Sequence, residues 1–407
     1  MLGFKNCHHR NHNQTVCLKE HHLKGNLPSR SDQGIVNSII KEFAGPELKD
    51  VYKNRLDQFR QRMEEAGAEA LIILKPENRA YLSGFEGSAG MLLITKNQAL
   101  LLVDFRYLEQ AKTQAPHFEI IQYRQPLSET LRRVFQELNL EMVGFEQDYV
   151  TWEQYEIWTT RLGDLVEFIP LPDLTQKLRM VKGPEELKSI MEAVAIADSA
   201  FLDILPLIRP GFQERELAVE LEYAMRRRGA QAMAFETIVA SGPRSSLPHG
   251  VPTERVLQTG DLVIIDFGAK CQGYCSDCTR TVSIGTPTPK QREIYDLVQR
   301  AQDAALKVIS PGVPASRVDA VARQIINEQG YGETFGHSLG HGVGRVVHEE
   351  PTLINRDQTI LQPGMVVTVE PGVYLPGWGG VRIEDLVVVT SSGCEVLTHC
   401  IKGLSIT

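Results

Sequence analysis

At 407 residues the chain is longer than one ordinary hydrophobic core and suits two domains. Its 42% apolar and 23% charged content is that of a globular protein, and a formal net charge of −8 argues against a nucleic-acid partner, since phosphate binding needs a basic surface. No apolar run approaches membrane-spanning length, the first residues are polar and His-rich where a signal segment would be apolar, and seven unevenly spaced cysteines do not resemble a disulfide framework, so a reducing, cytoplasmic setting is expected.

Residues 1–50 stand apart. His8, His9, His12, His21 and His22 cluster there with Cys7 and Cys17, but without the close cysteine spacing of a structural zinc site, and we expect a disordered or non-native leader. From Tyr52 the pattern is globular. Leu56, Phe59, Met63 and Ala66 keep helical spacing up to Gly67; 70–74 reads as a buried strand, 81–90 as a turn-rich loop, and 91–95 with 99–103 as a hairpin across Lys96-Asn97-Gln98. Strands and helices alternate to about Pro172, which predicts an α/β domain over 51–172 with nothing catalytic in it. Phe85, Tyr107, Trp152 and Trp158 read there as core or interface aromatics.

The stretch 169–182, with Pro170 and Pro172, reads as a linker, and the joint is set at 173–183. Gly183-Pro184-Glu185-Glu186 then opens a helix, with proline in the first turn and acids at the positive dipole end. Beyond it the order of elements repeats. Ile208-Arg-Pro-Gly211 and a helix to Gly229 recur as Ile309-Ser-Pro-Gly312 and a helix to Gly330, and a β-rich segment follows each. A domain over 184–407 with two similar halves about a pseudo-twofold is expected.

Each β-rich segment carries two acids. A hairpin with its tip at Cys271–Gln272 sets Asp266 opposite Asp277, and the strands around Gly377 set Glu370 opposite Glu384. Opposed residues on one face have Cβ atoms about 4.5–5.5 Å apart. Carboxylates that close repel, so cations are expected between them. Singly, Asp266 reads equally as a hydrogen-bonded structural acid and Glu384 as a partner of Arg382. Four acids at mirrored places in valine- and isoleucine-rich strands do not read as solvated surface. His337, His341 and His348 stand in a glycine-rich stretch whose Gly336, Gly340, Gly342 and Gly344 disfavour a helix and predict strands and tight turns; His249 sits in Pro248-His249-Gly250.

The wordings Ile-Asp266-Phe-Gly-Ala, Tyr-Cys-Ser-Asp277-Cys-Thr-Arg, Gly-His341-Gly-Val-Gly, Thr-Val-Glu370-Pro-Gly-Val-Tyr and Val-Arg-Ile-Glu384-Asp resemble, in order, the ligand motifs of the pita-bread metallopeptidases. The likeness runs from Gly183 to the C-terminus, and 52–172 resembles the creatinase/prolidase N-terminal domain. That points to the proline-directed branch, Xaa-Pro aminopeptidases and prolidases, over the methionine aminopeptidases. Intact ligands disfavour the metal-free creatinases.

The resemblance implies a two-domain α/β fold: a creatinase/prolidase-like N-terminal domain and a pita-bread α+β domain with an internal pseudo-twofold. It implies two divalent metal ions bridged by Asp277 and Glu384, with Asp266 on one ion and His341 and Glu370 on the other. Glu370 is then the proton shuttle, His348 and His249 bond the oxyanion and substrate backbone, His337 shapes the pocket before proline, and Arg382 supports the network. An oxygen-rich set with one imidazole favours Mn²⁺, with Co²⁺ or Zn²⁺ as substitutes. Peptides with proline second are the expected substrates, the aminopeptidase being preferred to the prolidase because no inserted loop closes the site. A homodimer is implied by resemblance alone. Two rivals stand against this reading: a non-catalytic binder on the same scaffold, and an iron–sulfur site on Cys271-x3-Cys275-x2-Cys278, whose strand alternation points the sulfurs apart.

Overall fold

The computed structural model describes residues 42–43 and 51–405, so nearly all of the expected leader lies outside the described residues. Helix α1 (Val51–Glu65) buries Leu56, Phe59 and Met63, and Gly67 at φ +68° turns the chain out of it. It leads into β1 (Ala70–Ile73) and α2 (Pro76–Ser83). Part of 81–90, expected as a loop, is therefore helical. Pro76 fixes φ in the first turn, Glu77 faces the dipole, and left-handed Gly84 caps the end; the run Ala80–Leu82 hid the helix because its apolar residues are contiguous.

The hairpin β2 (Met91–Thr95) and β3 (Ala99–Val103) forms where expected. Then follow α3 (Leu108–Gln114), β4 (Glu119–Gln122), α4 (Leu127–Glu137), β5 (Met142–Glu146), α5 (Trp152–Leu162) and β6 (Glu167–Leu171). The sheet order is β4-β3-β2-β1-β5-β6. Its faces pack two separate cores: Ala70 and Ile72 look into one, Leu71 and Ile73 into the other. Phe85 and Trp158 are core residues, whereas Trp152 is 70% exposed.

The linker expectation over 169–182 needs correcting. Residues as far as Leu171 belong to β6, an edge strand, where Pro170 costs no internal ladder bond. The rest is firmly tied. Helix α6 (Gln176–Arg179) presents Arg179 to Asn78 of the first domain, and its Nη2 also meets Glu349 Oε1 of the second at 2.5 Å; Lys182 Nζ lies 3.6 Å from the other oxygen of Glu349.

The second domain begins with α7 (Pro184–Ile204) and α8 (Glu214–Arg227). Next come β7 (Ala232–Met233), β8 (Ile238–Ser241), β9 (Leu262–Phe267), β10 (Ala269–Cys271), β11 (Tyr274–Cys275) and β12 (Cys278–Ser283). Helices α9 (Pro289–Val308) and α10 (Ala315–Glu328) open the second half. It continues with β13 (Gly340–Gly342), β14 (Glu349–Leu353), β15 (Val366–Val369), β16 (Gly372–Leu375), β17 (Gly379–Arg382), β18 (Asp385–Val389) and β19 (Cys394–Val396).

The two halves repeat in detail. Both bounds of α8 recur 101 residues on in α10, 214 to 315 and 227 to 328. Gly211 and Gly312 take φ +93° and +87°, and each donates its N–H to a leucine carbonyl, Leu257 and Leu361. β15 starts 104 residues after β9, 262 to 366, which makes Asp266 and Glu370 counterparts.

Candidate metal centre

Each half places its acids where a hairpin ladder breaks. In the first, β9 pairs with β12 as Asp266↔Thr279 and β10 with β11 as Cys271↔Tyr274. The tip is thus Gln272-Gly273, both at positive φ (49° and 79°), a two-residue turn of the kind that matches strand twist. This corrects the expected tip at Cys271–Gln272. Asp277 is therefore not directly opposed to Asp266 but two residues before its partner Thr279. A two-residue step keeps the same face, so both acids still point into one site. In the second half, Val369↔Asp385 and Gly372↔Arg382 flank the break, so the register sets Glu370 opposite Glu384 as expected.

His341 is delivered by β13, which slips register at His341/Gly342 against β14. A Cβ on Gly340 would lie 2.0 Å from the Thr368 carbonyl oxygen, and one on Gly342 2.3 Å from that of Glu350. Only glycine on both sides lets this strand carry an imidazole so close to its neighbours.

Donor atoms of Asp277, His341 and Glu384, all buried, lie within 4.8 Å of one another. His341 Nε2 is 3.6 Å from Asp277 Oδ2 and 3.3 Å from Glu370 Oε1. Asp266 holds Arg382 Nη2 at 2.6 Å through one oxygen; its other oxygen is buried with no partner. A buried carboxylate oxygen lacking a donor is what a cation would satisfy. Burial first, then the neighbouring acids, pushes the Asp277 and Glu384 carboxyls well above the ordinary range, and burial raises Asp266 despite Arg382. Glu370 behaves oppositely. Burial would raise it, but a hydrogen bond from His341, with His337 and Arg382 nearby, holds it at about 2. Packed anions, an orphaned oxygen and one imidazole fit hard divalent ions.

These five residues line one cavity of about 640 Å³ together with His249, His337, His348 and Arg382, so all nine predicted site residues meet in one place. The His348 ring lies tilted against that of His341, centroids 4.3 Å apart, and burial with that neighbour lowers its pKa. His337 Nε2 lies 3.1 Å from the Tyr374 hydroxyl and Nδ1 2.8 Å from the Ser338 carbonyl. Arg382 donates to Tyr374, Thr279 and the Pro248 carbonyl as well as to Asp266. Three supporting residues escaped the sequence reading: Thr279, Thr368 and Tyr374. Thr279 shares the face of Asp277 by alternation, a signal the wrong register obscured. The three sulfurs of the iron–sulfur rival reach different neighbours, Glu192 for Cys271, the Arg345 carbonyl for Cys275 and the Glu384 carbonyl for Cys278.

A two-half domain with mirrored acids around a histidine defines a metal-dependent hydrolase. Residues 188–391 match metallopeptidase family M24, and 55–181 match the creatinase/prolidase N-terminal domain. An Xaa-Pro dipeptidase from Pyrococcus furiosus is 40% identical over 86% of this chain and 99% of its own length. Among solved structures, an Xaa-Pro dipeptidase from Bacillus anthracis is 46% identical at a TM-score of 0.85, covering 88% of this chain and 100% of its own. An X-Pro aminopeptidase from Thermotoga maritima is 40% identical at 0.79, covering 85% and 100%. The chain belongs to metallopeptidase family M24, with a creatinase-type first domain. Divalent metal ions are therefore its cofactors.

Proposed function

We propose that the protein is an Xaa-Pro dipeptidase, hydrolysing the bond between a first residue and a following proline. The observation that carries the hydrolase part is the convergence of Asp277, His341 and Glu384 with Asp266 and Glu370 in one cavity. The aminopeptidase expected from sequence rested on the lack of a closing insertion. Relatives named dipeptidase match this chain over 99–100% of their own lengths, so no added domain sets them apart and that reason fails. That these relatives are dipeptidases favours the dipeptide reading, and the Thermotoga neighbour marks the alternative.

In this reading Asp266, Asp277, His341, Glu370 and Glu384 would together hold two divalent ions. Mn²⁺ is preferred for an oxygen-rich set. When bound, the ions supply Lewis acidity and a readily ionised water. Glu370, already an anion, accepts a proton at its carboxylate and passes it to the leaving proline nitrogen. His348 and His249 donate hydrogen bonds to the substrate carbonyl and backbone, a stabilisation that grows as charge develops. His337, fixed between Tyr374 and Ser338, shapes the wall against the first residue. Arg382 neutralises and orients Asp266. Free thiols at the five described cysteines agree with a reducing cytoplasm.

The test offers Ala-Pro and Ala-Pro-Ala to the Mn²⁺-loaded protein. Faster turnover of the dipeptide supports this assignment; preference for the tripeptide returns it to the aminopeptidase; cleavage of neither sinks the peptidase reading.

A further inference from the structure

β12 has two faces. Thr279 looks into the metal cavity, while Cys278 looks the other way, into the core beneath α7 and α8, and there meets Cys400 of the C-terminal segment. Donor atoms of Asp198 on α7, Cys278 and Cys400 lie within 4.8 Å of one another. Cys400 Sγ is 2.7 Å from Asp198 Oδ1, and Asp198 Oδ2 accepts the His399 N–H at 2.7 Å. Both cysteines are buried, whereas Asp198 is half-buried and His399 exposed, which leaves one side of the cluster open to solvent.

A cysteine is also a small core residue, and one thiol donating to a carboxylate would need no ligand. That account covers Cys400 and Asp198. The Cys278 sulfur has a long contact, 4.0 Å, to the Glu384 carbonyl, which does not account for its lying beside Cys400 and Asp198, brought there by a strand more than a hundred residues away in sequence. On a tetrahedral ion with bonds of about 2.0–2.3 Å, donors sit roughly 3.3–3.8 Å apart, and the pairwise spacings here, from 2.7 Å to at most 4.8 Å, bracket that range. Charge agrees as well. Two thiolates and a carboxylate carry three negative charges. A dication and the buried Arg280, whose Nε and Nη2 bond the Cys400 carbonyl at 3.2 and 3.0 Å, carry three positive ones. Arg280 also pairs with Asp385, which Lys402 balances in turn.

We propose that Asp198, Cys278 and Cys400 form a second metal site, separate from the paired-ion cavity. It takes a single thiophilic dication of the zinc–cadmium class, with its fourth position toward His399 and solvent. Soft sulfur donors select such ions, whereas the oxygen-rich cavity selects hard ones. The bound ion ties the C-terminal segment to α7 and β12, and so stabilises the fold by mass action.

The test is cobalt titration of the reduced full-length chain, its paired-ion cavity first filled with Mn²⁺, in a Cys7→Ser/Cys17→Ser background. The oxygen-rich cavity contains no sulfur, so an intense near-ultraviolet sulfur-to-cobalt absorption reports the new site alone. The expected result is a band that saturates at one cobalt per chain, disappears in Cys400→Ser and weakens in Asp198→Asn, with peptide hydrolysis retained in Cys400→Ser as evidence that it folds. Cadmium should raise the melting temperature of the background protein by several degrees when the paired-ion cavity is already filled with Mn²⁺, and leave Mn²⁺-filled Cys400→Ser unmoved. Absence of the band, or its persistence in both Cys400→Ser and Cys278→Ser, overturns the proposal. Neither readout depends on which peptide the enzyme cleaves.

Discussion

Thr279 donates its hydroxyl to Glu384 Oε2 at 2.6 Å while accepting Arg382 Nε at 3.1 Å, which locks the rotamer of an acid that has almost no exposure. Groups that orient metal ligands in this way are typically worth roughly 10–100-fold in metal affinity or activity. Thr279→Val keeps the volume, removes the bond and leaves Arg382 Nε without its acceptor. We expect manganese affinity and kcat to fall by that factor with a near-wild-type circular dichroism spectrum. Calorimetric metal titration checks it, and unchanged affinity would show that Glu384 is held by its backbone alone.

Glu370 is tethered by His341 at 3.3 Å and by the Thr368 hydroxyl at 3.2 Å. Glu370→Ala removes both a proposed ligand and the proposed proton carrier. Turnover should become undetectable and metal content drop, while the fold survives because no core residue is touched. Glu370→Gln separates the roles: loss of proton transfer alone costs roughly 10²–10⁴-fold in kcat. Metal analysis alongside steady-state kinetics checks both, and wild-type turnover in Glu370→Gln would remove the shuttle.

Much of this site was legible because its ligands are chemically conspicuous. Carboxylates in strands such as 262–267 have no place in an apolar sheet without a partner, and the 101-residue echo announced the two halves. What escaped depends on three-dimensional register. Placing the tip one residue early misassigned the cross-strand partner of Asp266, and with it hid Thr279, since an ordinary threonine in a strand carries no signal of its own. The buried ties of Arg179 were missed because they join the two domains, which local spacing does not encode, and helix α2 because its apolar run 80–82 is contiguous.

Metal removal should make stability depend on pH in a definite direction. In the metal-free protein, burial and mutual repulsion raise the Asp277, Glu384 and Asp266 carboxyls, and Glu370 raises His341 against the effect of burial. The unfolded chain loses its carboxyl protons in the ordinary range, whereas the native state keeps them to higher pH. Over that interval the native state binds more protons, so stability falls as pH rises. The raised histidine acts with the same sign, and Glu370, depressed to about 2, contributes a loss only as pH falls from the ordinary carboxylate range to about 2. Melting curves in EDTA should therefore move down from mildly acidic to alkaline pH. The manganese-loaded protein should lack that slope, because the ions replace the protons. A flat EDTA profile would mean that the acids are already ionised and compensated.

Glu349 tests the link between domains. Its carboxylate is buried between Arg179 Nη2 at 2.5 Å and Lys182 Nζ at 3.6 Å, and also accepts the Val346 N–H at 3.2 Å. Arg179 reaches from there to Asn78, which also donates to Glu146, so a polar chain runs from the first sheet to the strand that follows His348. Burial pushes the Lys182 ammonium down and Glu349 opposes that shift, so the carboxylate keeps two cations tolerable in the interior. Neutralising it in Glu349→Gln leaves both cations uncompensated, which typically costs roughly 3–5 kcal/mol. Chemical denaturation should show that loss, and kcat should fall because β14 no longer fixes the backbone beside His348. Replacing the pair together, Arg179→Met with Glu349→Met, should recover part of the stability without recovering kcat. Additive losses in that double variant would show that the two side chains act independently.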